Sequence, residues 1–253
     1  MSADLLPPTA ALLIIGNEIL SGRTPDANLN ATAKKLGSVG IPLKEVRVVP
    51  DIEADIIAAL NALRRRYTYV FTTGGIGPTH DDIIVDAVAK AFGVPVAEDA
   101  KALSLLEKHY GAGNVSDARR RMARVPQGAG LVVNPISSAP GIQIENVYVL
   151  AGVPEIMHAM LDGIIVNLRH GPAIHSTSVS GYILESIIAV GLGEIASRFP
   201  QLDIGSYPWV KEGKFGTSLV TRGTDQAAIE QATSEIFALI KSKGVEPVRN
   251  SDT

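Results

Sequence analysis

Apolar residues fall along this chain in two kinds of run: short unbroken ones, and longer ones that recur every three or four positions. Ala11 to Ile15 is a continuous aliphatic run that stops at Gly16, the pattern of a strand buried on both faces. After a loop from Asn17 to Pro25, Leu29, Ala33 and Leu36 recur at helical spacing while Lys34 and Lys35 face away. A helix is therefore expected from near Asp26 to Gly37 or Gly40. Pro42 opens an extended segment holding Val46, Val48 and Val49, and Pro50-Asp51 leads into a helix with the stripe Ile56, Leu60 and Leu63. Tyr69 to Thr73 reads as a third strand. It breaks at Gly74-Gly75-Ile76-Gly77-Pro78, and helical spacing resumes through Ile83, Ala87 and Ala91.

Farther on come a helix around Asp99 to Tyr110, an Arg-rich segment, and short strands at Leu131 to Val133, Ile142 to Ile144 and Val147 to Leu150. The loops Asn134 to Gly141 and Ala151 to Pro154 separate these from a helix that begins near Glu155 and carries Ile156, Met160 and Ile164. Strands alternating with helices imply an α/β fold, a three-layer and mostly parallel sheet, over residues 1–170. The remainder, 171–253, reads strand (Ser176 to Leu184), helix (Glu185 to Phe199), strand (Leu202 to Tyr207), strand (Phe215 to Thr221), helix (Asp225 to Lys243) and a short strand at Val245. That βαββαβ order implies a small ferredoxin-like α+β domain.

Composition narrows the function. Apolar residues are 46% of the 253 and aromatics 5%, so the core rests on Val, Ile, Leu and Ala. Cysteine is absent, which leaves oxygen or imidazole as metal ligands and fits a reducing, cytoplasmic setting. A formal charge of −3 offers no general attraction to nucleic acid or anionic lipid. Met1 to Ala11 has no basic leader, and Ala10 to Ile15 is too short to span a membrane. A small-molecule ligand is the expected partner, with neither nucleic acid nor membrane.

Chemistry concentrates where strands end. Gly74, Gly75 and Gly77 let the backbone approach a ligand closely, and the following helix offers free N–H groups and a positive dipole end to phosphate. The same glycines also suit any tight turn. Thr79 and Asp82 have capping-box spacing, which makes Asp82 a helix cap in the plainer reading. Carboxylates beside a phosphate repel it unless a divalent cation bridges them. Glu18, Asp26 and Asp51 also follow strands; Asp26 and Asp51 suit helix caps and Glu18 a solvated loop, yet parallel strands would gather all four acids into one crevice.

The run Thr72-Thr73-Gly74-Gly75-Ile76-Gly77-Pro78-Thr79-His80-Asp81-Asp82 closely resembles the signature of the MoaB/Mog molybdopterin-binding fold. Gly16 to Arg23, Asp26-Ala27-Asn28, Val49-Pro50-Asp51, Ala139-Pro140-Gly141 and Gly152-Val153-Pro154-Glu155 look like the same family's blocks in order. The branch most similar is the CinA type, which includes the molybdopterin-binding-like portion of FAD synthases. Asn146 to Leu150, Ile174-His175-Ser176 and Gly205 to Pro208 extend the likeness into the tail. The FAD synthase catalytic domain and the CinA amidohydrolase domain have no counterpart within residues 1–253, so neither FAD synthesis nor deamidation is carried over.

The resemblance implies a metal-dependent hydrolase of a pyrophosphate-linked nucleotide such as ADP-ribose or FAD, or else molybdopterin binding or adenylylation in molybdenum cofactor synthesis. A non-catalytic binding module is the third reading. Carried over by position, Asp51 and Asp82 are catalytic, and Glu18, Asp26, Asp51 and Asp82 hold Mg²⁺ or Co²⁺, with K⁺ as a further candidate ion. Thr73, Gly74, Gly75, Gly77, Thr79, Ser138, Pro140, Gly141, Gly152, Pro154 and Glu155 would line the ligand, molybdopterin being one candidate. The family further implies a homo-oligomer. Four positions depart from the pattern: Asn17 where Asp is frequent, Ser137 and Ser138 for Gly-Thr, and Ala151 for Pro.

Overall fold

The first strand, β1 (Ala10–Ile15), is buried along its whole length because both its faces are covered. A computed structural model describes residues 6–111 and 113–252 of the chain, which divides into two compact units between Gly171 and Pro172. After β1 come α1 (Asn17–Leu20), α2 (Asn28–Ser38), β2 (Leu43–Val49), α3 (Glu53–Arg64), β3 (Tyr69–Thr73), α4 (Ile84–Phe92), β4 (Val96–Glu98) and α5 (Ala100–Tyr110). The first unit continues through α6 (Asp117–Arg120), β5 (Arg124–Pro126), β6 (Gly130–Val132), β7 (Gly141–Ile144), β8 (Val147–Leu150) and α7 (Pro154–Ile165).

Six of these strands form one sheet in the order β2-β1-β3-β8-β7-β6. The pairs among β2, β1, β3 and β8 are parallel; β7 and β6 run antiparallel at the edge. Alternate side chains serve opposite cores, as the two-residue period of a strand demands. Ala11, Leu13 and Ile15 pack with Ile56, Leu60 and Leu63 of α3 and Ile84, Ala87 and Val88 of α4. Ala10, Leu12 and Ile14 pack with Leu36 of α2 and Met157, Met160, Leu161 and Ile164 of α7. The result is the expected three-layer α/β architecture.

The carboxyl ends of β1, β2, β3 and β8 lie along one edge. Because β7 is antiparallel to β8, pairing Ile142 with Val149, the β6–β7 loop reaches that same edge. Two stretches differ from the expected pattern. The loop after β1 contains the single-turn α1, and the Arg-rich segment forms α6, a 3₁₀ turn and β5, which pairs with β4. Strands of three residues are too short to display alternation.

The second unit contains β9 (His175–Gly181), α8 (Glu185–Arg198), β10 (Asp203–Lys211), β11 (Lys214–Gly223), α9 (Gln226–Ser242) and β12 (Val248–Asp252). Its sheet order β10-β11-β9-β12, antiparallel throughout, is the ferredoxin-like arrangement. Val179 and Leu219 on the sheet pack against Ile188 and Ile195 of α8 and Ile236 and Ile240 of α9. The last strand lies at Val248–Asp252 rather than at Val245. Val245 packs against the core, and the polar run after it pairs along β9.

Candidate functional site

The chain leaves β3 through Gly74 and Gly75, whose φ angles of 97° and 71° are left-handed values that glycine alone adopts without strain. A side chain on Gly74 would also strike the Ile15 carbonyl at the end of β1, and a Cβ on Gly152 would stand 3.2 Å from Gly74 Cα. These contacts press the β1, β3 and β8 ends together as bare backbone. β2 joins them twice: Gly16 N–H donates to the Val49 carbonyl (3.2 Å) and Asn17 N–H donates to Asp51 Oδ2 (2.9 Å). Asn28 Nδ2, at the start of α2, donates to the Gly152 carbonyl (2.9 Å).

Past the turn, the Gly75 carbonyl accepts from Ile84 N–H (3.3 Å), and a Cβ on Gly77 would lie 2.6 Å from Asp82 Oδ2. Asp82 Oδ2 in turn accepts from Thr79 N–H (2.8 Å). The Thr79 hydroxyl stands within hydrogen-bond reach of both Asp81 and Asp82, though it has one hydrogen to give. The Asp81 carboxyl is held below its usual range, first by Thr79, then by its own backbone N–H, with His80 assisting. The capping-box expectation for Asp82 fails in one respect. The Thr79–Asp82 bond forms, but α4 begins only at Ile84, and the preceding Ile83 supplies no side-chain cap. The pair closes a loop, and the first turn of α4 lacks a side-chain cap.

The other expected site residues divide. Asp51 is no helix cap, since Ile52 occupies that position and the carboxylate reaches across to β1's loop. Asp26 stands one residue before Ala27, the N-cap of α2, and its Oδ1 serves the first turn by accepting from Leu29 N–H at 2.7 Å. Glu18 lies on α1 with its carboxylate folded over Gly16. The expected cage of Glu18, Asp26, Asp51 and Asp82 is not preassembled: among the described residues no group of three or more His, Asp or Glu side chains is arranged to hold a metal ion.

Ser138, at φ 58°, and Pro140 belong to the β6–β7 loop, which Asn134 frames by donating to Ser137 Oγ (2.7 Å) and the Ala139 carbonyl (2.8 Å). Gly141 is buried, and a Cβ there would collide with the Val149 carbonyl and Met160, so close packing requires this glycine. Pro154 and Glu155 open α7 just beyond Gly152. Asn28 went unrecognised as a candidate. Its only local signal is membership of the Asp26-Ala27-Asn28 block, whereas its partner Gly152 is 124 positions away. Asn28 Oδ1, Thr72 Oγ1 and Thr73 Oγ1 are buried and have no hydrogen-bond partner among the described residues.

A family model described as a probable molybdopterin binding domain matches residues 11–170. The chain belongs to that molybdopterin-binding-domain family. A second model, described as the middle domain of FAD synthase, matches residues 173–249. A protein of Pyrobaculum calidifontis is 32% identical over 255 residues, covering 93% of this chain and 97% of its own. A CinA-like protein of Myxococcus xanthus is 37% identical over 158 residues, 60% of this chain but 38% of that longer relative. The crystal structure of CinA from Thermoplasma acidophilum aligns with a TM-score of 0.61 at 32% identity, over 64% of this chain and 98% of that one. These likenesses put the chain in the CinA-type branch of the family.

Within the family the departure at Asn17 leaves its contact with Asp51 intact, because the donor is the Asn17 backbone N–H. Oxygen donors that are few and separate suit a cation such as Mg²⁺, which usually takes one or two carboxylates and completes its shell with water and ligand phosphates. Asp51 is bonded to the loop after β1 and Asp82 within the loop after β3.

Proposed function

We propose that this chain binds a diphosphate-bearing nucleotide at the carboxyl-end loops of β1, β2, β3 and β8, and hydrolyses its phosphoric anhydride with the help of a divalent cation. One observation supports the reading: the ends of β1, β3 and β8 meet as bare backbone at Gly74 and Gly152, with Asp51 bonded to the loop after β1 and Asp82 bonded within the loop after β3. A parallel sheet presents its ligand site at such an edge. The uncapped first turn of α4 offers backbone N–H groups to a phosphate.

A bound divalent ion would neutralise the diphosphate and acidify water near it. Asp51 and Asp82 are the residues that would hold that ion or accept the proton of the attacking water. Water oxygen bonds to one phosphorus, the bridging oxygen leaves with its electron pair, and the products are two monophosphates. ADP-ribose would give AMP and ribose 5-phosphate; FAD would give AMP and FMN. FAD merits a place in the assay because residues 173–249 are similar to the middle domain of FAD synthase.

The test is AMP release from ADP-ribose, FAD and NAD, each with Mg²⁺ or Co²⁺. The match of residues 11–170 to a probable molybdopterin binding domain supports a second reading, in which these loop ends hold or adenylylate molybdopterin. Tight molybdopterin binding without AMP from any of the three nucleotides selects that reading and rejects the hydrolase.

A further inference from the structure

On the α7 face of the first unit's sheet, a cavity of about 190 Å³ lies between the second half of α7 and strands β6 to β8. Leu131, Val132, Met160 and Ile164 supply apolar wall; Gln143, Tyr148 and Asn167 supply polar groups. None of the lining residues is charged, so the cavity has nothing to compensate a phosphate, carboxylate or ammonium. For scale, an apolar cavity of about 150 Å³ accepts benzene.

Two details give this space a direction. Gln143 Nε2 donates to the Tyr148 oxygen at 3.1 Å, and Gln143 is the hydroxyl's only hydrogen-bond partner among the described residues. The phenol's own hydrogen is thus uncommitted. Burial, then the neighbouring Tyr69, pushes the Tyr148 pKa up and keeps that hydrogen in place. The second detail is Gly163, inside α7. Glycine inside a helix is less stable than alanine, yet a Cβ there would meet nothing within 4 Å. No packing contact demands the glycine, and its missing side chain leaves the cavity open.

We propose that this cavity binds a neutral aromatic molecule of one ring or two fused rings, held by a hydrogen bond from the Tyr148 hydroxyl to an acceptor oxygen on the ligand. The proposal stands or falls independently of the hydrolase reading. Benzamide, which has an acceptor oxygen, and toluene, which has none, are suitable probes for calorimetry or NMR titration of the full chain. Both should bind saturably. Tyr148→Phe should weaken benzamide about tenfold and leave toluene unchanged. Gly163→Leu raises helix propensity and fills the opening, so it should abolish both while the melting temperature does not fall. Failure of both probes to bind, or binding that survives Gly163→Leu, overturns the proposal. So does a wild-type oligomer that Gly163→Leu dissociates, because the cavity then belongs to a contact between copies.

Discussion

At the scale of single residues, Gly74 bears the most constraint. Its positive φ and its approach to the Ile15 carbonyl both exclude a side chain. Gly74→Ala should therefore destabilise the first unit by roughly 2–4 kcal/mol, read by denaturant titration. A change under about 0.5 kcal/mol would mean the turn is looser than described. The carboxylates should behave differently. Asp51→Asn keeps an oxygen for Asn17 N–H, and Asp82→Asn keeps one for Thr79 N–H, so each should fold normally. Under the hydrolase reading each should lower turnover at least a hundredfold, because the lost charge is the one that holds the cation or takes the proton. Full activity in both variants would remove these residues from the mechanism.

At the scale of elements, the two cores depend on side chains that the periodicity already singled out. Ile56, Leu60 and Leu63 make the buried stripe of α3, and Leu60→Ala should cost about 2–5 kcal/mol. Asp225 caps α9 by accepting from Ala227 and Ala228 N–H, so Asp225→Ala should weaken the second unit by about 1 kcal/mol. Circular dichroism melts of each variant check both values. β3 was legible because a β-branched and aromatic run ends abruptly at glycines, and β1 because an unbroken aliphatic run must be buried on both faces. β12 was not, since Val-Arg-Asn-Ser-Asp is polar and pairs only along β9. The Asp51–Asn17 bond was illegible for a similar reason: it exists only once β1 and β2 lie side by side in register. The glycine turn and its flanking acids were readable locally; which acid caps a helix and which crosses to another strand depended on tertiary pairing.

At the scale of the whole molecule, surface carboxylates set the response to acid. Glu45 is held below its ordinary range by the Tyr67 hydroxyl and then Arg47, Glu98 by Arg120, Glu230 by Arg249 and Asp81 by Thr79. A carboxyl with a depressed folded pKa contributes stability above its unfolded value, near 4, and loses it as pH falls through the folded value. These four groups should leave stability flat between about pH 5 and 7 and lower it below about pH 4. The effect should be modest, and the Glu98–Arg120 and Glu230–Arg249 parts of it should shrink in high salt, because those ion pairs are at the surface. A steep loss already at pH 6 would point to other groups. The central claim, that converging loop ends and two flanking acids take a diphosphate together with a cation, is tested most directly by calorimetric titration of ADP into wild type and Asp51→Asn, with Mg²⁺ and with chelator. The account predicts saturable binding to wild type that needs Mg²⁺ and weakens at least tenfold in Asp51→Asn. Binding that is equal with and without Mg²⁺, or unchanged in the variant, would contradict it.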